Sequence, residues 1–250
     1  MTFMATLILS KRKKDNRNKV IAIWSPVAAG KTMVAVNLSV VLSEKVPTAL
    51  VDLSSDGAIH TWLNCSETKS LKELTAGNPN ECYFPVSVPG LRVYTFQPGE
   101  KPPFSGEASL LSAVSKALND FYVVYDVSRD ILKAANILHL ADITLLVADY
   151  NIHGVFLLQK YLKQIKNPLL VVNRYFPERP EFSPEDILGL KAFYLPDSPR
   201  EVFNSVFTGV PVVSVSPEFK SVFKRIRDEI LRESQLLSFE KRPTVRTAEY

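Results

Sequence analysis

VIAIWSPVAAGKTMVAVN, residues 20–37, puts an apolar run, a small-residue loop and an apolar helical stretch in that order. Residues 20–24 are mostly β-branched or bulky and read as a buried strand. Residues 25–29 make the loop, and Gly30, Lys31 and Thr32 open the helix. A helix N-terminus presents unpaired N–H groups and the positive end of its dipole, so a loop placed before it suits a di- or triphosphate. In that reading Ser25, Ala28, Ala29, Gly30, Lys31, Thr32 and Met33 form the cradle. Lys31 reaches the β- and γ-phosphates and the Thr32 hydroxyl takes Mg²⁺. A plain helix start would also use AGKT, but strand, loop and helix at this spacing favour the phosphate loop. Ser25 replaces the usual first glycine, and Val27, Ala28 and Ala29 stand where glycines are common, so the loop has less access to positive φ.

The chain of 250 residues is 46% hydrophobic and 22% charged, which suits a soluble globular protein of one large or two small domains. The longest apolar runs, such as 143–148, are too short to span a bilayer. Residues 1–10 are apolar with a basic cluster after them, the reverse of a secretory signal, so a cytoplasmic location is expected. Cys65 and Cys82 are too few and too far apart for a thiolate metal site, and His60, His139 and His153 lack ligand spacing. Net charge is +4, with basic residues concentrated at 11–19 and again at 220–246. Each cluster fits nucleic acid or an anionic surface, and equally a solvated tether or helix face.

Outward from the loop, apolar strands alternate with helical stretches, and this alternation predicts an α/β fold: a doubly wound, mostly parallel sheet with helices on both faces. Expected strands are 5–9, 20–24, 48–53, 91–96, 121–127, 143–148, 169–173 and 192–195. Expected helices are 33–44, 70–75, 108–119, 131–140, 155–165, 198–208 and 218–237. The organisation expected is a basic segment at 1–19, a domain at 20–237 and a loose tail at 238–250. Asp52 closes the second strand of this domain, where open α/β sheets bind ligands. Asp126 closes FYVVYDV, a Walker B pattern whose carboxylate would hold the Mg²⁺ shell opposite Thr32. Asn173 and Arg174 end another strand; the amide of Asn173 could read a base edge, or simply form a turn.

The blocks WSPVAAGKT, LVDLSSDG, VVYDVSRD, HLADITLLVADYN, LLVVNRY and LPDSPREVFNSVFTGVPVV, over residues 19–234, resemble the ParA/MinD class of deviant Walker A ATPases. The resemblance implies an ATP/ADP-dependent homodimer that positions DNA or another large assembly. It implies roles for Lys31 and Thr32 at the phosphates and Mg²⁺, for Asp52 and Asp126 at the metal and in catalysis, and for Asn173 near adenine. The chain departs from the class at three places. Pro26 occupies the signature-lysine position and carries no charge. Ser54 stands where an aspartate usually promotes hydrolysis, with Asp56 nearby. Ser128 and Arg129 follow Asp126 in place of two prolines, and Arg129 is a candidate to neutralise phosphate charge.

These departures predict nucleotide binding with weak or absent hydrolysis, in a localisation module similar to the pilus-assembly branch of the class. Two other functions fit: an active DNA-partition ATPase whose basic C-terminal helix touches DNA, or a P-loop protein similar to bacterial tyrosine kinases, for which Tyr250 is the terminal tyrosine. A protein partner is open in each. Membrane attachment is not expected, because residues 236–250 contain Pro243 and few apolar residues at helical spacing.

Overall fold

Continuous apolar runs become strands here because both of their faces are covered. The computed structural model describes residues 19–54, 58–63, 88–95, 108–175 and 183–240. Among the described residues the strands are β1 (Lys19–Trp24), β2 (Thr48–Leu53), β3 (Leu91–Tyr94), β4 (Tyr122–Val127), β5 (Ile143–Ala148), β6 (Pro168–Tyr175) and β7 (Ala192–Pro196). They form one sheet in the order β3-β2-β4-β1-β5-β6-β7. Every pairing is parallel, and β2 and β5 are buried along their whole length. All strands therefore end at the same edge, where the loops after β1, β2, β4, β5 and β6 gather.

Successive residues of a strand face opposite ways, so the sheet supports two cores. On one face lie α1 (Lys31–Ser43), α2 (Ile59–Trp62), α8 (Val212–Val215) and α9 (Pro217–Glu240); on the other lie α3 (Ala108–Ala117), α4 (Ile131–Leu140), α5 (Ile152–Leu162) and α6 (Pro184–Leu188). The remaining helix, α7 (Pro199–Thr208), joins β7 to α8. Helix α1 is apolar nearly all round because it is enclosed between the sheet and α9. Phe219, Val222, Phe223, Ile226 and Ile230 give α9 the helical spacing of an apolar stripe, and it lies on α1.

Two of α9's basic residues belong to this packing. Arg227 is buried, and its guanidinium binds Glu44 (3.2 Å) and Asp228 (2.8 Å), while Lys220 reaches Glu44 at 3.1 Å. Glu44 caps the end of α1, so the clamp fixes the C-terminal end of the helix that follows the loop. Asn37 ties α1 to α8: its Oδ1 accepts from the Val213 N–H (3.1 Å) and its Nδ2 donates to the Met33 carbonyl (2.8 Å).

Element ends depart from expectation for local reasons. Helix α5 begins before residue 155 because the Asn151 side chain caps it, accepting from the Gly154 N–H at 3.3 Å. Helix α9 starts at Pro217 and runs to Glu240, past the expected end at 237; Pro in the first turn forgoes only an N–H that the helix does not use. Strand β6 extends to Tyr175 through a bulge after Val172. The short helices α2, α6 and α8 were not expected. The expected strand at 5–9 and helix at 70–75, and Phe96 at the end of the third domain strand, lie outside the described residues.

Candidate nucleotide site

Gly30 is the turning point of the loop. It takes a left-handed conformation, φ 89° and ψ 29°, as the N-cap of α1. A Cβ there would stand 2.4 Å from Nδ2 of Asn173, closer than any real contact. Asn173 needs that proximity because its Nδ2 donates to the Ala29 carbonyl at 3.0 Å. Ala28 and Ala29 keep negative φ, so Gly30 supplies the loop's one left-handed step. Two of the loop's own donors are spent internally: the Ala29 N–H on the Val27 carbonyl (2.9 Å), and the Val27 N–H, weakly, on the Ser25 hydroxyl (3.4 Å). On its outer side Val27 packs against Gly154 at the start of α5, where a Cβ would come within 2.7 Å of a Val27 methyl. The loop is therefore held from β6 by an amide and from α5 by the absence of a side chain.

Lys31 is nearly buried, 8% exposed, and has no hydrogen-bond or ion-pair partner among the described residues. A cation at a helix N-terminus with no ion pair among the described residues is suited to an anion. Next to it, the Thr32 hydroxyl donates to Oδ2 of Asp126 at 2.6 Å. That contact, across 94 residues of chain, joins the loop to the end of β4. Met33 differs from its neighbours: its side chain is in the core, so only its backbone remains on the loop side.

Asp52 and Asp126 are register partners on β2 and β4, so their side chains share one face. Their surroundings separate them. Asp52 is fully buried, and four donors occupy its oxygens: the Ser54 N–H (3.0 Å) and hydroxyl (2.6 Å) on Oδ1, and the Ile59 N–H (3.3 Å) and Thr95 hydroxyl (3.0 Å) on Oδ2. Burial pushes the Asp52 carboxyl above its ordinary value, against the opposing pull of those hydrogen bonds. Asp52 thereby ties the end of β2 to the start of α2 and to Thr95 beyond β3. Ser54 spends its hydroxyl on the same carboxylate.

The other expected residues are spread around this edge. Ser25 is buried, Ala28 is exposed, and Pro26 is half-buried. Arg129 is exposed beyond β4 and makes no ion pair among the described residues, while Asp130 beside it caps α4 by accepting from the Leu132 N–H at 2.9 Å. Arg174 has φ 58° and is paired with Asp149 (3.6 Å). Asn173 donates one of its two amide N–H groups to the Ala29 carbonyl, so it holds the loop. Asp56 lies outside the described residues.

The architecture has solved counterparts. A ParA family ATPase from Chlorobium tepidum superposes with a TM-score of 0.65 at 18% identity, over 86% of this chain and 98% of that one. The MinC:MinD cell division complex of Aquifex aeolicus gives 0.66 at 16% identity, over 91% and 99%. The chain has the ParA/MinD fold. A putative plasmid partition protein from Borrelia burgdorferi, solved with AMPPNP, gives 0.66 at 15% identity, over 87% and 100%. No protein-family model and no curated protein matches the sequence.

Within the ParA/MinD fold, two contacts escaped the sequence reading. Thr95 reaches Asp52 from 43 residues away, and no local pattern marks it. Gly154 could have been suspected, since a lone glycine in a helix start often marks a close approach.

Proposed function

We propose that this chain is a ParA/MinD-like nucleotide-binding protein that positions DNA or another large assembly, binding ATP and ADP with Mg²⁺ and hydrolysing ATP slowly or not at all. The observation that carries this reading is the nearly buried Lys31 at the start of α1, without a partner among the described residues, beside the Thr32–Asp126 contact. Thr32 and Asp126 offer the hard oxygen donors that Mg²⁺ takes and would hold it; Asp52, with its oxygens filled, would not. Bound Mg²⁺ would neutralise phosphate charge, and the chain's part is then to orient the triphosphate with Lys31 and the first-turn N–H groups. Slow hydrolysis follows from the side chains available: Pro26 brings no charge, and the Ser54 hydroxyl is already donated to Asp52 and is no base.

A nucleotide-dependent homodimer belongs to the same reading. Pro26 cannot make the trans contact of a signature lysine, so dimerisation would rest on other residues, with exposed Arg129 the candidate cation. No described helix is long and apolar enough to cross a membrane.

The active DNA-partition alternative draws on the basic C-terminal helix, and α9 narrows it. Arg227 and Lys220 serve the clamp on Glu44, and Arg232 pairs with Glu229 and Glu233. Exposed Lys224 and Arg225 remain for phosphates. Charge reversal at Arg227 would therefore report on folding, whereas reversal at Lys224 and Arg225 reports on DNA.

Turnover and DNA retention distinguish the two functions. The expected result is Mg²⁺-ATP turnover in the wild type that is slow or equal to that of Lys31→Ala, and DNA retention, if any, unchanged by ATP. Turnover well above that of Lys31→Ala, with ATP-dependent DNA binding lost in Lys224→Glu/Arg225→Glu, would instead establish the partition ATPase. The kinase-like alternative rests on Tyr250, outside the described residues.

A further inference from the structure

On the face of the sheet opposite α1, helices α3 and α4 part to leave a crevice of about 890 Å³ lined by Leu111, Lys116, His139 and Leu140 among others. Beneath it, sharing Leu111 and Leu140, lies a smaller cavity of about 130 Å³ that reaches Tyr125, Ile137 and Asp142. A chamber of this size accepts roughly one six-membered ring. Its walls are mixed in chemistry. Leu111 and Ile137 are apolar and buried, the Asp142 carboxylate accepts from the Val20 N–H (3.1 Å), and Lys116 at the mouth is exposed with no ion pair among the described residues.

Tyr125 is the unusual member. It is 3% exposed and its hydroxyl makes no hydrogen bond among the described residues. A tyrosine that lines a cavity with its hydroxyl unspent among the described residues offers that hydroxyl to a ligand. Tyr125 immediately precedes Asp126 on β4, and alternation sends the two side chains to opposite faces. The cavity is thus separate from the nucleotide loop although one strand serves both.

We propose that the α3–α4 crevice is a second ligand site, for a small aromatic hydroxy acid. The ring lies between Leu111, Ile137 and Leu140, its hydroxyl pairs with the Tyr125 hydroxyl, and its carboxylate meets Lys116. Each part of that ligand answers a feature of the site: the apolar walls, the Tyr125 hydroxyl, and the Lys116 ammonium, which has no ion pair among the described residues.

Calorimetry with para-hydroxybenzoate and benzoate, on the intact chain, tests the assignment. The expected result is saturable binding of para-hydroxybenzoate, about fivefold to tenfold tighter than benzoate, as one added hydrogen bond provides. Tyr125→Phe, which keeps the ring and should melt no lower than the wild type, makes the two probes equal. Lys116→Ala weakens both, and Lys31→Ala changes neither. Absence of saturable binding at millimolar probe would overturn the proposal and leave the cavity to water. An undiminished hydroxyl preference in Tyr125→Phe, or loss of binding in Lys31→Ala, would overturn it equally, the latter by moving the probe to the nucleotide loop.

Discussion

Gly30→Ala should destabilise the protein by about 2–4 kcal/mol and weaken ATP binding at least about tenfold. Two costs add. A left-handed residue with a Cβ costs roughly 1–2 kcal/mol, and Gly30 has φ 89°. The new Cβ also meets Asn173 Nδ2 at 2.4 Å, so the amide must withdraw from the Ala29 carbonyl. Both groups are buried, and leaving such groups unsatisfied costs roughly 1–3 kcal/mol. Loop and amide cannot keep their positions together, which is why affinity falls along with stability. Urea unfolding and ATP calorimetry on the same preparation measure the two effects. A variant as stable as the wild type would mean that the Gly30–Asn173 approach is looser than described.

Phe223→Ala has a larger expected effect on stability, about 3–5 kcal/mol, without touching the site. Phe223 is fully buried on the stripe of α9 that packs with α1, among Phe219, Ile226 and Ile230. Truncation removes the favourable transfer of a large side chain and leaves a hole that close-packed neighbours fill only in part. Two-state denaturation should show a lower midpoint with an unchanged slope. ATP affinity, measured well below the transition, should change little, because Phe223 belongs to the layer behind α1. A loss below about 1 kcal/mol would show that α9 is peripheral to the core.

These two substitutions also show where the sequence was readable. The sheet was legible because parallel strands covered on both faces must be apolar throughout, as TALVDL and ITLLVA are. The loop was legible because its spacing is set by the geometry of a strand feeding a helix N-terminus. Short helices were not, since four or five residues carry too little periodicity to read. Helix α5 was placed late because the cap that starts it is a single Asn side chain.

Within the site, contacts local in sequence or fixed by strand ends came through, as with Thr32 and Asp126. Contacts that no strand end or loop spacing fixes did not. No local pattern marks the four donors, one of them from Thr95, that meet the Asp52 carboxylate. Nor does any local pattern mark the Asn173 amide's contact with the Ala29 carbonyl, 144 residues away. Arg227 looked like a surface cation because basic residues surround it in sequence. Its position four residues after Phe223 puts it on the buried stripe, and that spacing was the available signal.

The most direct test of the central claim, that this loop is a nucleotide site organised by Lys31, is calorimetric titration of ATP with Mg²⁺ into the wild type and Lys31→Ala. Hydrogen bonds to a charged group contribute roughly 1.5–3 kcal/mol each, so removing the ammonium should cost between about tenfold and a few hundredfold in affinity. The account predicts saturable binding by the wild type and its loss or collapse to weak binding in Lys31→Ala, with both proteins melting alike. Equal binding by the two, or none by the wild type, would contradict it and reduce the loop to a structural corner between β1 and α1.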